Sequence, residues 1–180
     1  MKHTIWIVDV TNRDGVQTSR LGLSKFQKTM LNCYLNELGV AFSEFGFPTT
    51  NHETNYLNAN LELVKQGVIN KTRLSGWLRA VEEDVELAYK NVPGLQYCNL
   101  SMSTSDQMLA GKFGGRFDRK AILNKAVKAV KAAKAKGALS VGVNAEDASR
   151  TDLDFLIEFA CAAKEAGASR FRYCDTLGYD

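Results

Sequence analysis

The sequence predicts an α/β protein of the (β/α)8-barrel (TIM barrel) class, incomplete here, with about six β/α units. Short apolar runs rich in β-branched and aromatic residues alternate with longer stretches of helical periodicity. The runs are continuous, which is typical of parallel strands buried on both faces. Polar residues follow every predicted strand, as in a barrel, whereas an open sheet would concentrate them at one crossover.

The predicted elements alternate strictly along the chain. The predicted strands cover residues 4–10, 40–47, 73–78, 95–102, 139–144 and 170–174. The predicted helices cover residues 25–38, 52–65, 82–90, 118–136 and 151–166. Four of these helices are followed by a glycine, which commonly ends a helix. Because no Gly-x-Gly-x-x-Gly follows the first strand, an open nucleotide-binding domain is the weakest alternative.

A barrel of this class has eight strands, and only six are found. We therefore expect residues 1–180 to be the N-terminal part of a single catalytic barrel domain, with strands seven and eight and any C-terminal region absent. The unpaired first and sixth strands predict that the isolated chain is poorly soluble or oligomeric.

Composition excludes several functional classes. The formal charge of +3 is too small to indicate nucleic-acid binding. The lysines of residues 120–136 alternate with alanine and valine, which indicates the solvated face of a helix. No stretch has the length and apolarity of a membrane span or signal peptide, so we expect a cytoplasmic protein. The four cysteines are widely spaced, which favours reduced thiols.

The first motif follows the first predicted strand, where residues 9–17 read D-V-T-N-R-D-G-V-Q. The carboxylate of Asp14 can bind a divalent cation, and the guanidinium of Arg13 can stabilise an oxyanion that develops beside it. An ion pair in a surface turn explains these two residues equally well.

Two further motifs follow the fifth and sixth predicted strands. Asp147, Ser149 and Thr151 in residues 144–151 are candidate helix caps, but capping does not explain Glu146, whose carboxylate can transfer a proton or orient a metal-bound water. Asp175 and Thr176 can hydrogen-bond a substrate carboxylate, although an ordinary turn also explains them.

Taken in order, the motifs resemble those of the pyruvate carboxylase-like metallolyase barrels. Residues 9–17 are similar to the family signature D-T-T-L-R-D-G-x-Q, and residues 44–48 to its E-x-G-x-P. Residues 146–150 and 175–178 resemble the motifs of strands five and six, so that the likeness covers essentially the whole chain. Within the family, the segments around the last two motifs are most similar to the homocitrate synthases of nitrogen fixation.

The resemblance implies an acyltransferase that condenses acetyl-CoA with 2-oxoglutarate to give homocitrate, for the nitrogenase iron-molybdenum cofactor, and CoA. It implies a divalent cation (Mg, Mn or Zn) with Asp14 as ligand, Arg13 as the oxyanion stabiliser, and Glu146 at or next to the metal. The substrate pocket would be lined by Gln17, Glu44, Arg79 and Thr176. The full-length protein would be a homodimer, or a partner chain would carry the missing strands.

Three departures from the family pattern bear on this implication. Val16 replaces a polar residue. Gly142 stands where the lysine-pathway homocitrate synthases carry an arginine for the distal carboxylate of 2-oxoglutarate, which leaves that carboxylate without an identified partner. The family's His-x-His pair of metal ligands is absent, because the only histidines are His3, at the wrong end of the barrel, and His52, which we expect to be exposed or capping. The isolated chain is therefore predicted to be inactive.

Two alternatives of different kinds remain. The first is an isopropylmalate or citramalate synthase of the same family, which would differ in the pocket for the side chain of the oxo acid. The second is a non-catalytic half-barrel subunit of a split enzyme.

Overall fold

The computed structural model describes residues 4–179, and within them the predicted alternation of strands and helices is confirmed. The strands are β1 (Val8–Asp9), β2 (Phe42–Gly46), β3 (Arg73–Arg79), β4 (Tyr97–Ser103), β5 (Ser140–Glu146) and β6 (Arg170–Tyr173). The helices are α1 (Lys25–Leu38), α2 (Thr54–Lys65), α3 (Glu82–Asn91), α4 (Asp106–Gly111), α5 (Arg119–Ala135) and α6 (Leu153–Glu165). Short 3-10 turns cover Gly15–Gln17, Asn51–Glu53 and Ala148–Arg150.

The six strands follow chain order in one sheet, the order expected of successive β/α units. Strands β1 and β2, β2 and β3, and β5 and β6 pair in parallel. The chain divides into two compact units, which are described separately. The first unit comprises residues up to 77 together with 88–97, and the second comprises residues 78–87 together with those from 98 onward.

Two elements differ from the sequence prediction. Strand β1 covers only Val8 and Asp9, and the side chains of the preceding Ile5, Trp6 and Ile7 are exposed. Helix α4 lies in a segment predicted to be a loop. Its six residues are too few to show a helical period, although Ser105 caps it by accepting a hydrogen bond from the amide of Met108.

Helix α1 of the first unit buries polar residues, contrary to the usual pattern of an amphipathic helix. Lys28, Asn32 and Asn36 face inward with Leu35. The apolar side chains of Phe26, Tyr34 and Leu38 are instead exposed. The sequence correctly predicted the helix over 25–38, but its apolar residues do not mark the buried side.

Asn32 connects this polar side of α1 to three other elements. Its Nδ2 donates to Tyr56 Oη at 3.0 Å and to Asn60 Oδ1 at 2.9 Å, both on α2. Its Oδ1 accepts from Asn12 Nδ2 and from Ser43 Oγ, each at 2.9 Å. Since all four hydrogen-bonding positions of the amide are used, its burial carries little desolvation penalty.

The second unit has an apolar core of the expected kind. Helix α5 packs small residues inward, and α6 adds aromatic ones. The buried residues of these two helices are Ile122, Ala126, Ala129, Val130, Ala133, Phe155, Leu156, Phe159 and Ala163. Five of the six lysines between residues 120 and 136 are exposed, which confirms the predicted solvated face. No helix among residues 4–179 is long and apolar enough to cross a membrane.

Asn36→Ala tests the polar side of α1. The Oδ1 of Asn36 accepts from the backbone amides of residues 70–72 at 2.9, 2.7 and 3.2 Å, just before β3. Removing the Asn36 amide leaves the buried amide of Thr72 and two part-buried amides without this partner, so we expect the free energy of unfolding to fall by about 1–3 kcal/mol in denaturant titrations. Glu37→Ala, at the neighbouring exposed position, should change it by less than about 0.5 kcal/mol. Equal effects of the two substitutions would rule out this role.

Candidate active site

The loop after β1 is a tight turn that fixes its own backbone. The amides of Arg13, Asp14 and Gly15 converge on the carbonyl of Val10 at 3.1, 2.7 and 3.2 Å. The carboxylate of Asp9 accepts from the amide and the hydroxyl of residue 11, each at 3.0 Å. The turn therefore presents Arg13 and Asp14 from a defined backbone.

Three of the predicted site residues lie together in the first unit. Arg13 donates from Nε and Nη2 to Glu44 Oε2 at 2.9 and 2.7 Å, and from Nη1 to Asp14 Oδ1 at 2.7 Å. The side chain of Glu44 has 0% exposure and that of Asp14 has 59%. The guanidinium also lies 5.4 Å from the ring centroid of Trp77 on β3, a cation–π distance. Arg13 is thus fixed by the buried carboxylate of Glu44 and also pairs with the exposed carboxylate of Asp14.

Trp77 was not foreseen as part of the site. A tryptophan in a predicted strand usually indicates core packing, and only its contact with the guanidinium shows a different role. Gln17 ends the 3-10 turn after Asp14 and is exposed, so its predicted pocket role remains a prediction.

The described residues do not contain a complete set of metal ligands. Asp14 is an accessible carboxylate of the kind that divalent cations bind, but Arg13 already pairs with it. Within residues 4–179 there is no group of three or more His, Cys, Asp or Glu side chains that could hold a metal ion. His52 is exposed in a 3-10 turn, as expected, and His3 lies outside the described residues. These residues alone do not make a metal site.

Glu146, at the end of β5 in the second unit, is held by two partners. Lys112 Nζ lies 2.7 Å from Glu146 Oε2, and the hydroxyl of Ser103 donates to the same oxygen. Lys112 also donates to Ser103 Oγ at 2.9 Å. The Glu146 side chain is 28% exposed, so the carboxylate is both fixed and accessible. Sequence reasoning missed both partners, which lie 34 and 43 residues away.

Asp147 organises the loop that follows. It is buried, with a φ of 63°, in the left-handed region that aspartate tolerates better than most residues. Arg150 donates to its carboxylate from Nε at 2.9 Å and from Nη2 at 2.6 Å, and Ser105 Oγ donates at 2.5 Å. Hydrogen bonds from Arg150, and then from Ser105, hold the pKa of the Asp147 carboxyl below its usual value.

The candidate helix caps at residues 147, 149 and 151 are wrong, because α6 is capped by Asp152, whose Oδ1 accepts from the amide of Phe155 at 3.0 Å. Ser149 Oγ instead donates to Asp175 Oδ1 at 2.7 Å. The amide of Asp147 donates to Thr176 Oγ1 at 2.9 Å. The structure therefore brings the motifs after β5 and β6 together.

Arg79, at the end of β3, forms an ion pair within the second unit. Its Nε and Nη2 lie 2.9 and 2.6 Å from the two oxygens of Asp84, in the first turn of α3. Hydrogen bonding to Asp84 raises the pKa of the guanidinium further. Its side chain is 71% exposed, and the predicted contact with substrate stays a prediction.

Gly142 has no room for a side chain. A Cβ there would lie 2.1 Å from Asn99 Oδ1 and 3.3 Å from Arg170 Nη2. Arg170 donates from Nη2 to Asn99 at 3.1 Å and from Nη1 to Ser140 Oγ at 2.5 Å. The amide of Asn99, held by the guanidinium of Arg170, therefore occupies the space that a side chain at 142 would need.

These features define a parallel β/α-barrel protein with polar loops at the carboxyl ends of its strands. A solved structure of the same fold is an HMG-CoA lyase from Acinetobacter baumannii, with a TM-score of 0.71 and 16% identity, which this chain matches over 97% of its own length and 57% of the other. The predicted fold class, an incomplete (β/α)8 barrel, is confirmed.

The HMGL-like family model matches residues 4–180, and the chain belongs to that family. It is 63% identical over 176 residues to a citrate (Re)-synthase of Dehalococcoides mccartyi, covering 98% of this chain and 42% of the relative. It is 39% identical to 2-isopropylmalate synthase 2 of Caldanaerobacter subterraneus, covering 97% and 43%. The chain thus spans about two fifths of the length of these relatives. The family resemblance is confirmed, but the nitrogen-fixation branch is not.

Gly142→Ala tests the close approach at β5. The new methyl group would collide with Asn99, which Arg170 holds in place, so we expect a loss of about 1–3 kcal/mol in the free energy of unfolding. Gly111→Ala, in α4, meets no atom within 4 Å and should be neutral or slightly stabilising. A Gly142→Ala protein as stable as wild type would show that this packing is absent.

Asp147→Asn tests the lowered pKa. We expect it to reduce stability by about 1–3 kcal/mol at neutral pH, because the bonds to Arg150 lose their charge. A lowered native pKa contributes stability that is fully present above the unfolded value of about 3.9 and is lost as the pH falls through the native value. The difference between wild type and variant should therefore shrink only in that acidic range. Asp154→Asn, exposed on α6, should show no such difference.

Proposed function

We propose that the chain belongs to a synthase that condenses acetyl-CoA with a 2-oxo dicarboxylic acid, with oxaloacetate as the acceptor and citrate as the product. The observation that carries the proposal is the high identity to the relative named for citrate, compared with 39% and 32% for relatives named for isopropylmalate and homocitrate. Citrate differs from homocitrate by one methylene, so 2-oxoglutarate, which the motifs after β5 and β6 favour, is the second candidate acceptor.

The reaction requires a cation where negative charge develops. Removal of a proton from the acetyl methyl group gives an enolate, whose carbon attacks the ketone carbon of the oxo acid and leaves an alkoxide. Hydrolysis of the thioester then releases CoA. Arg13 is suited to stabilise the alkoxide, because Glu44 and Trp77 fix its guanidinium before the substrate binds. In this proposal Glu44 acts through Arg13, since its own side chain is fully buried.

Glu146 and Thr176 are the proposed groups on the second unit. Glu146 is an accessible carboxylate next to an ammonium and a hydroxyl, which suits proton transfer at the acetyl or alkoxide group. Thr176 Oγ1 accepts a hydrogen bond from an amide, and its own proton can be donated to the carboxylate of the oxo acid. Gln17 and Arg79 are retained as proposed pocket residues.

A divalent cation belongs to the proposal through the family, and it would polarise the ketone when bound. Asp14 is its proposed ligand among the described residues, and further ligands would have to come from outside them. The protein is proposed to act as a homodimer or with a chain that supplies the remaining strands. The 180-residue chain alone is still predicted to be inactive.

The test uses the complete protein as its gene encodes it. CoA release and product mass are measured with acetyl-CoA and each of oxaloacetate, 2-oxoglutarate, 2-oxoisovalerate and pyruvate, in Mg²⁺, Mn²⁺ or Zn²⁺ after chelation. We expect the highest kcat/KM with oxaloacetate. A preference for a monocarboxylic oxo acid would contradict the proposed acceptor class, and release of CoA with none of them would contradict the synthase.

Arg13→Gln provides the matching test of the site. We expect kcat to fall by about 10²–10³-fold, the loss typical of one oxyanion donor. Arg20→Gln removes an exposed arginine seven residues further along the chain and should leave kcat within about twofold. An unchanged kcat in the Arg13 variant would exclude its role in the transition state.

A further inference from the structure

The strands of the second unit share one polar face. Side chains alternate between the two faces of a strand, so residues two apart lie on the same face. The bond between Ser103 and Glu146 places the ends of β4 and β5 on this face, and the bond between Asn99 and Arg170 extends it to β6. On the opposite face of β6, the ring of Phe171 lies 6.4 Å from that of Phe159 on α6.

Alternation therefore puts Arg172 on the same face as Arg170 and Glu146. Arg172 is the register partner of Asn144, which comes two residues before Glu146 on β5. At about 3.3 Å per residue, Arg172 begins about 7 Å below the end of β5, and Arg170, opposite Gly142, about 13 Å below it. The Cα atoms of the two arginines of β6 thus lie at successive depths beneath Glu146.

Arg170 lies furthest from Glu146 on this polar face. Arg170 is bonded to Ser140 and Asn99, and together with Asn99 it lies against Gly142. A substrate entering past Glu146 would therefore meet Arg172 first. A second carboxylate on an oxo acid bound at this face would meet an arginine, which can bind it with two parallel hydrogen bonds.

The geometry points to Arg172 as the specificity-determining residue for the distal carboxylate of the acceptor. This assignment rests on the proposed function. It gives the distal carboxylate a cationic partner, which Gly142, having no side chain, cannot provide. The guanidinium would select dicarboxylic over branched apolar oxo acids, because an apolar side chain against it would remove its water without replacing the hydrogen bonds.

Arg172→Gln in the complete protein tests the assignment, with KM for each substrate and calorimetric Kd for oxaloacetate as readouts. We expect KM and Kd for oxaloacetate to rise at least about tenfold, as for loss of a charged hydrogen bond. KM for acetyl-CoA should stay within about twofold, because the substitution leaves the rest of the site in place. The preference for oxaloacetate over 2-oxoisovalerate should fall by a similar factor, and Arg172→Lys should recover part of both losses.

Arg170→Gln is the matched control, because it removes the same group two residues earlier on the same face. It should lower the unfolding temperature but leave KM for oxaloacetate within about threefold. The assignment would be overturned, and the proposed function left standing, by a wild-type KM for oxaloacetate in Arg172→Gln. Equal rises in KM for oxaloacetate and acetyl-CoA together with a lower unfolding temperature would have the same consequence. If the wild-type protein condenses no dicarboxylic oxo acid, the proposed function falls, and the assignment falls with it.

Discussion

A buried carboxylate at the end of β2 is the constraint on which the arrangement of the first unit depends. Glu44 has no solvent exposure, and an uncompensated charge in such a place would cost several kcal/mol. Arg13 meets this requirement with two hydrogen bonds, and in doing so its guanidinium loses its freedom to rotate. Trp77 then packs against the same group from β3. One electrostatic requirement thus connects the loop after β1 to the next two strands.

The polar side of α1 follows from the same arrangement. The loop that carries Arg13 also carries Asn12, whose buried amide donates to Asn32 and to the carbonyl of Lys28 on α1. An apolar helix face could not satisfy that amide. Lys28 in turn pairs with Glu53, which also accepts from the amide of Phe47 at 2.7 Å, just beyond β2. The helix is therefore polar inside because it supports two polar loops.

The order of elements could be predicted from local pattern, and Arg13, Asp14 and Glu44 could be predicted as site residues from their motifs, whereas Trp77 was missed. Apolar periodicity placed five helices correctly but does not identify the buried side of α1, because hydrogen-bond satisfaction depends on where distant partners lie. Lys112 and Ser103 were missed for the same reason, because they contact Glu146 from positions 34 and 43 residues away in the chain. Asp147 was predicted as a candidate helix cap, but its carboxylate instead pairs with Arg150, three residues further along the chain.

The absence of an arginine at position 142 shows how a single position can mislead when it is compared alone. Judged by that position, the chain lacks a cation for a second carboxylate. In space, however, β6 carries Arg170 opposite Gly142 and Arg172 opposite Asn144, and the cation proposed for the second carboxylate is Arg172. A side chain at 142 would collide with the amide of Asn99, which the hydrogen bond from Arg170 holds in place. Glycine on β5 therefore goes together with the hydrogen-bonded pair of Asn99 and Arg170, and in the proposed site the cation for the second carboxylate comes from β6 instead of β5.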